Sequence, residues 1–446
     1  MTKTRPLMLL VAAALLTIGI IQYKIGMAGE FVLMGAFLAI TLYRMEYGLY
    51  LLALSLPILT YRPLLALILL FVLVLFVTAQ DYDKLKANLK NHLNLAVFLF
   101  LAILFITALT SANVTESLIQ FTLYYFISFL LYLLLVMKLD SRETLYRFIV
   151  CLILSASLVS IYGVYQYFTL QFTTAAWVDI SQNPGISKRI FATFENPNLF
   201  VQYLIMILPL NFALLFYAKS LGNRVLFALQ FGLISLAVVL TFSRGGWLAL
   251  FVGLGILATM ISRRLLIVGL IAVAVGVNFL PDAIIARIQS IANPQSDSSS
   301  SYRLQMWQSA FAMIRDYWVT GIGSDLTTFK KVYTDYMMPG VRVNHFHNIY
   351  IMNFVTGGIL AILLLFYMFY QSFRTAVVSL FMNDGKDKLL SYIAKGGIAS
   401  VIAIGIAGLT EDVWHQYRVD FMFWILLAIL SVVYNLARAR KEHVQE

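Results

Sequence analysis

Residues 118–137 read LIQFTLYYFISFLLYLLLVM, twenty positions without a charged side chain. A helix of ~20 apolar residues crosses the hydrocarbon core of a bilayer, and this run stops at Lys138, where charge returns. Predominantly apolar runs recur near 7–21, 30–43, 47–60, 64–79, 93–110, 146–168, 198–218, 225–242, 246–261, 264–280, 348–371, 391–410 and 419–437. Those at 30–43, 47–60 and 246–261 are short, so the expected total is 12 to 14 spans. Hydrophobic residues fill 61% of 446 positions and charged residues only 12%, which excludes a soluble globular chain. The expected fold is all-α: a single polytopic helical bundle over 1–446, with one large helical excursion at 281–346.

Loop charge sets the orientation. Alternate loops collect twenty Lys and Arg residues, among them Lys84, Lys86, Lys90, Lys138, Arg142, Lys386, Lys388, Arg438 and Arg440. That side is read as cytoplasmic, with both termini on it. The opposite loops hold the other twelve: Lys24, Arg62, Lys188, Arg189, Arg244, Arg287, Arg303, Arg315, Lys330, Lys331, Arg342 and Arg418. Outward loops of an inner-membrane protein are normally poor in basic residues. Their crowding between Lys188 and Arg418 points to an anionic ligand, a phosphate-bearing lipid or sugar at the outer face. The net charge of +11 largely faces anionic headgroups and calls for no nucleic acid. The single cysteine, Cys151, lies inside an expected span, where it packs.

Within the excursion, Leu304, Trp307, Phe311, Ile314 and Trp318 follow helical spacing and predict one amphipathic face, with Arg303, Gln308 and Arg315 opposite. Ile284, Ile285, Ile288 and Ile291 predict a shorter helix before a polar stretch, Asn293 to Ser301. Ser324 or Asp325 is positioned to cap a third, from about Leu326 to Tyr336. A packed cap on the bundle and a lid along the lipid surface both fit this pattern.

Several basic residues are candidates for a site. Arg244 sits in Thr241-Phe242-Ser243-Arg244-Gly245-Gly246-Trp247, a tight connection whose glycines let the backbone turn and admit a ligand closely. Arg189 precedes Phe194-Glu195-Asn196-Pro197-Asn198, where a helix start with Pro197 in its first turn favours an anion. His347, in Asn344-His345-Phe346-His347-Asn348-Ile349-Tyr350, stands where the excursion rejoins the next span. A neutral imidazole there can take a proton from a sugar hydroxyl. His345 is the secondary candidate. A His-x-His pair without thiols or a carboxylate cluster is a weak metal signature, so no metal is assigned. Arg418 follows Glu411 and Asp412 in the last outward loop, where it either closes the site or forms an internal ion pair.

Taken together, SRGGW after an apolar helix, Arg303-x-x-x-Trp307, Gly321-x-Gly323, and His347-Asn348-x-Tyr350 opening the next helix resemble the O-antigen ligase and polymerase superfamily. The upstream Arg189 and Phe194-x-Asn196-Pro197-Asn198 stretch fits the same pattern. The resemblance implies a metal-independent, inverting glycosyltransferase with a GT-C-like helical membrane fold and no cofactor. It further implies a bacterial inner-membrane enzyme that takes a glycan from undecaprenyl diphosphate. Ligases place that glycan on lipid A–core sugar, and polymerases place it on another lipid-linked unit. Arg189 and Arg244, with Arg303, would bind diphosphate, and His347 would activate the acceptor hydroxyl. Arg315, Arg418, Asn348 and Tyr350 are further candidates. A lipid-linked-sugar flippase is the alternative of another class. Against it, the middle of the expected spans carries almost no ionisable groups, and the main polar residues there are Gln202, Asn211, Asn278 and Asn353.

The charge pattern predicts that a cysteine introduced at Ser298 reacts with an impermeant thiol reagent added outside intact or outer-permeabilised cells. Labelling only after the inner membrane is broken would reverse the topology.

Overall fold

A computed structural model describes residues 27–78, 82–170, 188–292, 298–414 and 416–445. The apolar run at 7–21, Lys24, residues 293–297 and His415 lie outside the described residues. Every other apolar run drawn from the sequence forms helix. Among the described residues, nine helices are long and apolar enough to cross a membrane: His92–Leu109, Val114–Lys138, Arg142–Thr169, Pro197–Tyr217, Leu221–Leu240, Arg244–Ile261, Ile349–Asn383, Lys388–Ala407 and Tyr417–Glu442. Shorter helices, Met27–Tyr43, Met45–Ser55, Tyr61–Thr78 and Arg263–Gly276, occupy further apolar runs. The chain is an all-helical, multi-pass membrane protein.

Burial explains the layers. The helices Pro197–Tyr217 and Tyr417–Gln445 form the centre, with runs such as Tyr203 to Leu208 and Phe421 to Leu430 entirely enclosed. The helix Leu221–Leu240 buries few positions and turns Leu226, Leu229 and Leu236 outward, as expected for a helix at the lipid boundary. Cys151 is buried and free.

The two sets of loops gather at opposite ends of the same helices. At one end Arg142 and Arg440 both reach the buried Asp387 carboxylate, at 2.6 and 3.4 Å, and Arg438 donates to the carbonyls of Ala87 and Lys90. Helices Ile349–Asn383 and Tyr417–Gln445 lead from there to the other end, where Arg189, Arg244, Arg287 and Arg303 surround one cavity.

The excursion folds as three helices, Asp282–Ala292, Ser298–Tyr317 and Leu326–Tyr336. Asp325, not Ser324, caps the last, accepting from the Thr328 N–H at 2.7 Å. The middle helix departs from expectation. It buries Met306, Ser309, Ala310 and Met313; of the expected face, Trp307 and Ile314 pack half-buried against that seam, while Leu304, Phe311 and Trp318 stay exposed. Methionine and alanine at the right register make the centre of the packed seam, Trp307 and Ile314 flank it, and the other large side chains lie outside it.

Backbone bonds fasten the excursion to the bundle. In the helix Ile349–Asn383, Gly358 adopts φ +68 and breaks the helical ladder. The carbonyls of Val355 and Thr356, left without their usual partners, accept from the N–H groups of Ile322 and Gly323, each at 3.0 Å. The Ile359 N–H donates in turn to the Trp318 carbonyl at 2.8 Å. A Cβ on Gly358 would stand 2.2 Å from the Val319 carbonyl oxygen, so the kink requires glycine for both space and φ.

Gly358→Ala should therefore destabilise this junction by about 1–3 kcal/mol. The expected readout is a lower Tm and faster tryptic cleavage around Lys330 and Lys331. Unchanged cleavage and Tm would show that the kink is dispensable.

Candidate functional site

The site starts with the loop 188–196. Gln166, inside a neighbouring helix, clamps it: its Oε1 accepts from the Ala192 N–H at 2.8 Å, and its Nε2 donates to the Ala192 carbonyl at 3.0 Å. The Thr193 hydroxyl donates to the Pro57 carbonyl, and the Ile190 N–H donates to that of Leu240. Held this way, Arg189 points inward and is only 5% exposed. Its Nε donates to the Thr241 carbonyl at 2.8 Å and its Nη2 to Asn198 Oδ1 at 2.9 Å. Asn196 caps the helix Pro197–Tyr217, with Pro197 in its first turn.

Opposite, Arg244 is the first residue of the helix Arg244–Ile261. Its guanidinium donates to Ser290 Oγ at 3.1 Å and to Ser300 Oγ at 3.2 Å, tying the membrane helix to the first two helices of the excursion. Gly245 and Gly246 have a different role from the one expected. Both lie within the helix, where a Cβ would collide with Thr410 and Val201 respectively. They permit close packing rather than a sharp turn. The turn itself falls on Phe242, at φ 50, whose carbonyl accepts from Arg287 Nε at 3.2 Å.

Arg189, Arg244, Arg287 and Arg303 line a cavity of about 170 Å³, together with Asn198, Gln202, Ser290, Ser300 and Glu411. Burial, followed by the charges of Arg287, Arg303 and Arg244, pulls the Arg189 pKa down to about 9, against the opposing pull of Glu411. Four guanidiniums converging in a shielded space repel one another, and an anion relieves that repulsion. A planar fork of donors also matches phosphate oxygens.

Beside the cavity is a buried carboxylate with two imidazoles. Glu411 Oε1 lies 2.6 Å from His347 Nδ1 and 3.4 Å from His345 Nε2. Its Oε2 accepts from Asn198 Nδ2 at 3.2 Å. Burial alone would raise the Glu411 pKa, but His347 and His345 outweigh it and hold the carboxyl well below the ordinary carboxylate range. A carboxylate only accepts, so Nδ1 of His347 carries the proton in this bond, and in the neutral ring Nε2 keeps its lone pair. That is the tautomer a general base requires. His347 also lines a cavity of about 600 Å³ with Tyr302, Lys330, Tyr333 and Arg342. The same three groups, His345, His347 and Glu411, have ligand atoms within 4.8 Å of one another and could hold a metal ion. Glu411 thus adds the carboxylate that the His-x-His pair lacks in the sequence.

The remaining candidates lie elsewhere. Asn348 caps the helix Ile349–Asn383, accepting from the Tyr350 and Ile351 N–H groups and donating to the Leu409 carbonyl. The Tyr350 hydroxyl donates to the Gly405 carbonyl, and its ring stacks on Phe366. Both fix the wall behind His347. Arg418 neither lines the arginine cavity nor pairs with Glu411 or Asp412; its guanidinium donates to the Leu59 carbonyl and lies over the Tyr417 and Phe194 rings. Arg315 is exposed and outside the cavity. Arg287 and Glu411 join the site although neither was among the residues assigned to it from the sequence. Arg287's only signal was its place among the outward basic residues, and Glu411 stood out only as a carboxylate in the last loop.

Residues 229–366 match the O-antigen ligase family model. The match takes in Arg244, Arg287, Arg303 and His347, and the resemblance drawn from the sequence is borne out there. Over those residues the chain is similar to O-antigen ligases. No curated protein gives a significant match. Arg189 and Glu411 lie outside the matched stretch, and the fold alone brings them to the others.

An anion in the arginine cavity should stabilise the protein. Saturating inorganic pyrophosphate is expected to raise Tm by roughly 2–4 °C. Arg244→Ala should show little or no shift. An equal shift in the variant would remove Arg244 from the anion site.

Proposed function

We propose that this chain transfers a glycan from undecaprenyl diphosphate to an acceptor sugar hydroxyl at the outer face of the bacterial inner membrane, as an O-antigen ligase. The observation that carries the reading is the contact between two kinds of chemistry. Four guanidiniums line one cavity, and a carboxylate-oriented imidazole stands at its edge, joined through Asn198 and Glu411.

The reaction follows from these groups. The lipid diphosphate lies among Arg189, Arg244, Arg287 and Arg303. The acceptor hydroxyl approaches His347 from the cavity of Tyr302 and Lys330. His347 Nε2 takes the hydroxyl proton as the oxygen attacks the anomeric carbon. The bond from that carbon to the diphosphate oxygen breaks, and its electron pair leaves with the diphosphate. Fixed guanidiniums stabilise the charge that develops there. Glu411 holds the imidazole and stabilises the imidazolium. One displacement from the face opposite the leaving group inverts the anomeric centre. In this scheme His345 and Glu411 steady the base and no metal takes part.

The site end then faces outward and the Asp387 end faces the cytoplasm, in keeping with the greater number of basic residues in the Asp387-end loops. A polymerase of the same superfamily would use the same groups with a lipid-linked acceptor. Assaying purified protein with lipid A–core and with a second lipid-linked unit separates the two.

His347→Ala should lower kcat by about 10²–10⁴-fold while leaving pyrophosphate binding close to wild type. Glu411→Gln should lower kcat less, because the imidazole is retained but poorly oriented. EDTA should leave the wild-type rate unchanged. Full turnover by His347→Ala would end the base assignment, and loss of activity in EDTA restored by a divalent cation would turn the triad into a metal site.

A further inference from the structure

The His347 ring donates from Nδ1 to Glu411, and the place of that one proton decides what the ring can do. His345 Nε2 stands 3.2 Å from the same nitrogen and 3.4 Å from the same Glu411 oxygen. With the 2.6 Å bond between His347 and Glu411, three donor atoms close a triangle. In a tetrahedral Zn²⁺ site, metal–ligand bonds of ~2.0–2.2 Å set the ligand atoms about 3.3–3.5 Å apart. Two sides of the triangle are close to that spacing. The third needs to open by roughly 0.7 Å when a metal replaces the hydrogen bond.

The surroundings meet the other requirements of a metal site. Asn198 Nδ2 and the Asp412 N–H donate to the Glu411 carboxylate and orient it. Both imidazoles are partly exposed and line the cavity of Tyr302 and Lys330, which gives a hydrated ion its way in. Three protein ligands leave a fourth position for water. His345 and Glu411 also border a second cavity of about 360 Å³, where Tyr125 and Trp414 supply aromatic surface. Its described lining holds Asp325 and Asp412 and no lysine or arginine. These acids favour a cation and partly offset the four guanidiniums beyond Asn198.

We propose that His345, His347 and Glu411 form a binding site for a zinc-class divalent transition-metal ion, and that filling it switches His347 off as a base. A neutral imidazole carries one N–H. A metal bound through the Nδ1 lone pair requires that proton to sit on Nε2, so the ring releases none and only exchanges its position. Nε2 then has no lone pair with which to take a hydroxyl proton. Two nitrogens and one oxygen select Zn²⁺, Co²⁺ or Cu²⁺ over Mg²⁺, which favours an octahedron of oxygen. The loss of turnover rests on the reading of His347 as the base, whereas the binding of metal does not.

The test uses the tag-free full chain in nanodiscs of zwitterionic lipid, stripped with EDTA and exchanged into metal-free buffer. Co²⁺ should give the intense visible bands of a four-coordinate ion, abolished by Zn²⁺ and unaffected by excess Mg²⁺. Loss of an outer-shell partner alone weakens metal binding by about 10–100-fold, so His345→Ala and Glu411→Gln should each cost at least that. Pyrophosphate should still raise the Tm of His345→Ala as in wild type. In turnover, saturating Zn²⁺ should slow the wild type by at least ~10²-fold, as removal of the base does, and EDTA should restore it. The rate remaining in His345→Ala should need at least ~10-fold more Zn²⁺ for the same inhibition, which separates the site from chelation of the donor. No four-coordinate Co²⁺ bands, bands that survive both substitutions, or displacement by Mg²⁺ would overturn the metal site. Bound Zn²⁺ with undiminished or faster turnover would overturn the switch. Metal binding that responds to the substitutions in a protein that releases no undecaprenyl diphosphate would preserve the metal site and overturn the transferase.

Discussion

The buried carboxylate of Glu411 organises the site. It accepts from His347 and from Asn198, and Asn198 accepts in turn from Arg189. One short chain of hydrogen bonds therefore runs from His347 to the arginine cavity. A carboxylate enclosed in protein is stable only when cations or donors surround it. Glu411 meets that requirement with His347, His345 and Asn198, so its loss would leave both histidines and Asn198 without their common partner. Its own position is fixed by the start of the helix Ile349–Asn383. The Ile349 N–H donates to the Gly408 carbonyl, Asn348 to that of Leu409, and Tyr350 to that of Gly405. The loop that presents Glu411 and the turn that presents His347 are thus held to each other through backbone, which lets a hydrogen bond of 2.6 Å form between their tips.

Backbone strain gathers at the same place. Ala192, Glu195, Phe242 and His347 all have positive φ without being glycine. Each such residue costs on the order of 1–3 kcal/mol and persists where its surroundings dictate the conformation. Those surroundings are visible. Gln166 grips Ala192 from both sides, Arg287 bonds the Phe242 carbonyl, and Trp307 Nε1 donates to the Phe346 carbonyl beside His347. His347 is itself one of these positions, and Arg189 and Arg244 lie within three residues of Ala192 and Phe242, so the strain accompanies the aiming of side chains into a common space.

The legible part of this protein was written in local pattern. Apolar runs became helices because a ~20-residue apolar segment has few alternatives in lipid. The alternation of basic loops also has a physical counterpart, with Arg142 and Arg440 at one end and Arg189 and Arg244 at the other. Arg189, Arg244, Arg303 and His347 were legible because a cation confined near an apolar boundary is unusual in any sequence. Glu411 was not, since a carboxylate in a loop looks the same whether it meets an imidazole 64 residues away or water. The packed face of Ser298–Tyr317 misled for a related reason. Spacing identified the largest apolar side chains, of which Trp307 and Ile314 pack, whereas Met306, Ala310 and Met313 fill the seam and Leu304, Phe311 and Trp318 stay outside it. Size and periodicity describe a helix in isolation, and its neighbours decide which face it buries.

Charge separates the compartments of the site. The arginine cavity holds four guanidiniums and borders one carboxylate, while the neighbouring aromatic cavity borders three carboxylates and no guanidinium. Glu411 belongs to both, so the sign of the surroundings changes across a single side chain. A substrate carrying a diphosphate at one end and sugar at the other meets a matching gradient. Its anionic end is drawn toward Arg189 and Arg244 and kept from the acids by the same field. The bond between phosphate and sugar then lies near the boundary, and that boundary is where the Glu411-bound imidazole stands. For the lipid-linked donor proposed above, this polarity orients the substrate without recognition of any particular sugar.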